Sequence, residues 1–96
     1  KGMIVSANPR PASAFGELAA YCVWPVLRGA TPRRLREQLH RGRWVGLVFW
    51  LDDPQYLTPT TELLGWVRQY NARLVRIVLA YRLSQSFEQA LRMAGA

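Results

Sequence analysis

Trp44–Gln69, WVGLVFWLDDPQYLTPTTELLGWVRQ, is the stretch that decides the fold. It opens on eight uncharged residues, Trp44 to Leu51, and breaks at Asp52-Asp53-Pro54. A strand with one wet face alternates apolar and polar residues. An unbroken apolar run bounded by turn residues instead suits a strand covered by helices on both faces. Asp52 and Asp53 then stand at the carboxyl end of that strand, where open α/β sheets place their ligand sites. Downstream, Thr58-Pro59 is a helix start, and Glu62 favours the positive end of the helix dipole. Leu63, Leu64, Val67 and Tyr70 form the apolar side of this helix, and Asn71 terminates it.

The same punctuation organises the rest of the chain. Met3–Ala7 is a short β-rich run, and Asn8-Pro9-Arg10-Pro11 can continue neither a helix nor a central strand. Ser13 is placed to cap a helix to Cys22, with Phe15, Leu18, Ala19 and Cys22 on one stripe. Trp24–Gly29 reads as a short strand whose Pro25 fits a sheet edge. Thr31-Pro32 begins a helix to about Arg41, with Leu35 and Leu39 buried one turn apart and Gly42 as its stop. Leu74–Leu83 is a strand interrupted by Arg76. Ser84 or Ser86 caps a last helix carrying Phe87, Leu91 and Met93, and Gly95 ends it.

The order βαβαβαβα implies a parallel sheet with right-handed crossovers. The most apolar strands, Met3–Ala7 and Trp44–Leu51, belong at its centre. The expected architecture is therefore α/β: a flavodoxin-like three-layer sandwich of four parallel strands in order 2-1-3-4, with helices on both faces.

Composition narrows the function classes. The chain has 96 residues, enough for a single domain over 1–96, and half of them are hydrophobic, which excludes a disordered segment. It opens on Lys1 rather than Met, which leaves room for a missing or removed segment. The one cysteine, Cys22, cannot pair internally and fits a reducing, cytoplasmic compartment. No apolar run approaches the ~20 residues of a membrane helix, so no membrane partner is expected. The net charge of +7 is carried almost wholly by arginine, which favours carboxylate and phosphate partners.

With this element order and the aspartate closing strand three, the chain resembles the receiver domain of bacterial response regulators, the CheY-like fold. Asn8 lies 44 residues before Asp52, about the family's separation between its metal-binding acid and its phosphoacceptor. Glu62-Leu63-Leu64 is similar to the acidic-Leu-Leu start of the family's third helix, and Ala94-Gly95-Ala96 resembles the lead into its fifth strand. The resemblance stops before that fifth strand and helix, so it implies a domain truncated at its C-terminus. It places Asp52 at the phosphoacceptor position with Asp53 and Asn8 beside it.

The family's chemistry is mostly missing from these positions. Ala7 and Asn8 stand where receivers carry the acidic pair that holds magnesium, a cation that wants carboxylate oxygens. Ala80 replaces the family's Ser or Thr, the family's lysine lies beyond Ala96, and Pro54 comes too early. The resemblance thus implies a degenerate pseudo-receiver, with no catalytic residue, no cofactor and no metal.

Each candidate residue also has a plain structural role. Adjacent Asp52 and Asp53 on extended chain point to opposite sides, so spacing alone does not make them an acid/base pair. His40, the sole histidine, fits the end of the second helix, with Arg41 and Arg43 beside it. Cys22 lies on an apolar stripe and suits a buried thiol. The serines lack a nucleophile elbow, and no phosphate-binding glycine loop occurs. Arg28, Arg33, Arg34, Arg36, Arg41 and Arg43 form the densest basic run and are a candidate phosphate-binding patch, or a solvated face with one internal pair to Glu37. Trp44, Val48, Trp50 and Asp52 share parity and are expected on one face of their strand.

Two functions follow as expectations. The first is a non-catalytic, receiver-like signalling or protein-interaction module that meets a protein partner, or its own copy, through the edge strand Leu74–Leu83. The alternative is a nucleic-acid-binding α/β module using the arginine-rich second helix.

Overall fold

The computed structural model describes residues 1–80 and 85–95, with the side chains of 85–88 and 90 outside the description. The elements are β1 (Gly2–Val5), α1 (Ser13–Cys22), β2 (Val26–Leu27), α2 (Pro32–Leu39), β3 (Gly46–Leu51), α3 (Leu57–Tyr70), β4 (Val75–Ala80) and α4 (Gln85–Ala94), with a 3-10 turn at Pro54–Tyr56 leading into α3. All strand pairs are parallel and the order is β2-β1-β3-β4, the flavodoxin-like arrangement. The two most apolar strands are the central ones, because only central strands lose both edges and both faces to protein.

The two faces of the sheet are covered unequally. On one, Met3, Val5, Leu47, Phe49 and Leu51 are at most 4% exposed and meet Leu35 and Leu39 of α2, Leu63, Leu64 and Val67 of α3, and Leu91 of α4. Burying a side chain of this size contributes about 1.5–3 kcal/mol relative to leaving it in water, so this closed face supplies most of the stability. On the other face the only packed helix among the described residues is α1. Phe15 and Ala19 bury Ile4, with Leu18, Val26, Val48 and Trp50 half-buried around them. That helix covers the β2–β1 half of the sheet, while β4 remains bare on this side.

Several local features differ from the sequence expectation. Ser13 is the first helical residue and not the cap. Ala12 holds that position and offers no side-chain acceptor. Trp24–Gly29 contracts to the two-residue strand Val26–Leu27, and the Trp24 ring instead lies over Gly2, where a Cβ would come within 2.8 Å of it. The Thr31 cap stands: its hydroxyl accepts from the Arg34 N–H at 3.2 Å, ahead of Pro32. Helix α2 stops two residues early, with His40 as its C-cap.

Thr58-Pro59 is not the start of α3. Asp53-Pro54 begins the turn that feeds it, with the Asp53 carboxylate accepting from the Gln55 N–H at 3.0 Å and from Gln55 Nε2 at 2.9 Å. Trp44 stands two residues before β3 and packs on the closed face, opposite Val48 and Trp50, so shared parity did not extend beyond the strand. Tyr70 and Met93, expected on buried stripes, are 40% and 83% exposed. Among the described residues the edge strand is Val75–Ala80, starting one residue after Leu74. Its expected continuation to Leu83, Arg82 and the Ser84 cap fall in residues 81–84, outside the described residues, as do the side chains of Ser86 and Phe87. No helix among the described residues is long and apolar enough to cross a membrane.

Candidate functional site

At the carboxyl end of the sheet, Asp52 and Asn8 do come together. Asn8 Nδ2 donates to Asp52 Oδ1 at 3.4 Å, and the Ala12 N–H donates to Asp52 Oδ2 at 2.6 Å. The loop between β1 and α1 is folded around Asn8, whose Oδ1 accepts from the Arg10 N–H at 2.8 Å and whose own N–H reaches the buried Ser6 hydroxyl at 3.1 Å. Asp52 thus ties the end of β3 to the start of α1, accepting from the N–H of the N-cap residue Ala12 itself. Burial pushes the Asp52 carboxyl up, but donation from Ala12 and Asn8, with the Trp50 indole N–H close by, outweighs it, and the net shift is down. The Trp50 Nε1–H itself is sealed from solvent without a well-formed hydrogen bond. Asp53 turns away to its Gln55 contacts. Among the described residues no three of His, Cys, Asp and Glu gather as a cation site.

The basic run does not form one surface. The Arg28 guanidinium lies 5.1 Å from the Phe15 ring centroid, on the α1 side of the sheet. Arg34 folds back to donate through NH1 to the carbonyls of Arg28 and Gly29 at 2.8 and 3.0 Å, so it braces the loop between β2 and α2. Arg33 sits 3.7 Å from Glu37, in an exposed i,i+4 pair. That leaves Arg36, Arg41 and Arg43 exposed, toward the C-terminal end of α2. Cys22 is half-buried on α1.

Sequence reasoning missed the bare half of the sheet. In β4 the usual alternation is inverted: Val75, Ile77 and Leu79 are 51%, 49% and 41% exposed, while Arg76 is half-buried. Arg76 reaches the closed face, donating through Nε to Gly95 O at 2.6 Å and through NH1 to Leu74 O and Ala72 O at 2.9 and 3.2 Å. It therefore holds the end of α4 and the turn before β4, and does not guard the strand edge. Beside the apolar stripe runs a groove of about 270 Å³ lined by Lys1, Trp24, Val45, Val48, Val75 and Ile77. A contiguous apolar surface of this kind on a charged protein marks an interaction site more often than chance.

No family model, curated protein or solved structure matches the chain. Function therefore rests on these surfaces alone.

Proposed function

We propose that this chain is a non-catalytic, receiver-like protein-docking module, and that a helix of a partner protein completes its sheet over β3 and β4. The observation that carries this reading is the stripe Val75–Ile77–Leu79, nearly half exposed and flush with Val48 and Trp50. An α-helix is about 10 Å across and strands are about 4.8 Å apart, so one helix laid beside α1 would cover bare β4 and reach the half-buried Val48 and Trp50 of β3. The net charge of +7 sets two copies against each other and favours a partner helix with an acidic polar face. Asp52 enters as a structural tether, its carboxylate oxygens engaged by Asn8 and Ala12.

Selection of displayed helical peptides against the folded chain tests this. Binders are expected to share an apolar stripe with acidic flanks and to lose affinity for Ile77→Glu and Val75→Glu, which keep the wild-type circular dichroism. Binders indifferent to both substitutions, or a concentration-dependent dimer abolished by them, would overturn the helix assignment.

A further inference from the structure

A second surface lies on the closed-face side, where α2 and α3 end together. Tyr70 stacks on Trp66 with centroids 4.9 Å apart and planes 18° from parallel, and His40 meets Tyr70 edge to face at 6.0 Å. Next to them a polar groove of about 330 Å³ is lined by Leu39, Gly42, Arg43, Trp44, Tyr70 and Asn71. Arg41 flanks Gly42, Arg36 lies one turn before His40, and Arg73 follows the groove residue Asn71. All are exposed, and among the described residues none of these guanidinium groups makes a hydrogen bond or ion pair. The converging negative ends of two helices account for arginines here. They do not account for exposed rings: Tyr70 keeps 40% of its surface in solvent at a position that helical periodicity assigned to the core.

We infer that this corner binds single-stranded nucleic acid, with a base stacked on the Tyr70–His40 surface and the backbone phosphates met by Arg36, Arg41, Arg43 and Arg73. Aromatic faces accept any base, and unpaired arginines around them track the phosphates; together these form the stacking platform and cationic groove of sequence-tolerant single-strand binders. A duplex hides its base faces, so it gains only the electrostatic part. The inference does not depend on the docking reading, since Ile77 and Val75 lie on the opposite face of the sheet.

The test is fluorescence anisotropy of labelled oligo(dT) and oligo(U), with a duplex of the same length, at low and moderate salt. Single strands are expected to bind more tightly than the duplex. Tyr70→Leu, which keeps an apolar contact for Trp66, is expected to weaken single-strand binding about tenfold, while Tyr70→Phe restores it. Arg43→Gln is expected to flatten the salt dependence by about 0.7 in the logarithmic slope. Tyr21→Ser, which removes an exposed ring from α1 on the other face of the sheet without changing the charge, leaves all of these values unchanged. Absence of binding at low salt, equal affinity for duplex, or full affinity in a folded Tyr70→Leu would each overturn the platform.

Discussion

Phe49 and Ile77 belong to adjacent, register-paired strands of the same sheet, yet Phe49 is 1% exposed and Ile77 is 49% exposed. Both are large apolar residues in apolar runs. Phe49 points to the face roofed by α2, α3 and α4, and Ile77 points to the face where α1 reaches only the far half. Burial in this molecule is decided by which helix lies above a residue, and the residue type does not report it. The two faces should accordingly behave as core and as surface.

The sharpest way to break that comparison is a pair of truncations. Phe49→Ala is expected to cost about 3–5 kcal/mol in urea unfolding, and Ile77→Ala less than about 1 kcal/mol. Comparable losses would mean that the bare face is covered in solution. Arg76→Met asks how the closed face holds its edge strand. Removing donors from three carbonyls should cost about 2 kcal/mol, with faster hydrogen exchange in β4 and α4.

Asp52→Asn gives a smaller expected loss than Arg76→Met, about 1 kcal/mol at neutral pH, because the site is partly solvated. Its pH dependence is more diagnostic. The folded carboxyl titrates below its ordinary value, so its stabilisation is complete above the unfolded pKa and fades as pH falls through the folded one. Wild type should therefore lose stability in acid more steeply than Asp52→Asn. Parallel acid limbs would remove the tether assigned to this residue.

Much of the fold was legible because local chemistry and global architecture agreed. Thr31-Pro32 starts a helix by satisfying its own backbone, and Asn71 ends one, whatever surrounds them. The apolar run to Leu51 names a central strand since nothing else buries it fully. The site was legible only in part. The proximity of Asn8 and Asp52 is what the receiver resemblance implies, but the Ala12 contact depends on how the loop after β1 folds across the sheet end. The basic run dispersed because Arg34 and Arg28 met groups distant from helix α2: two carbonyls and an aromatic ring.

The amino-acid sequence by itself determined the succession of strands and helices, the parallel order 2-1-3-4 and the identity of the central strands, because these follow from periodicity, capping and chain connectivity. Only the tertiary structure decided that β4 shows its apolar residues to solvent, that Arg76 turns inward to carbonyls, and that Tyr70 leaves the core to stack beside His40. Those outcomes depend on which helices reach which half of the sheet. That is a matter of packing between segments far apart in the chain, and no local pattern of residues encodes it.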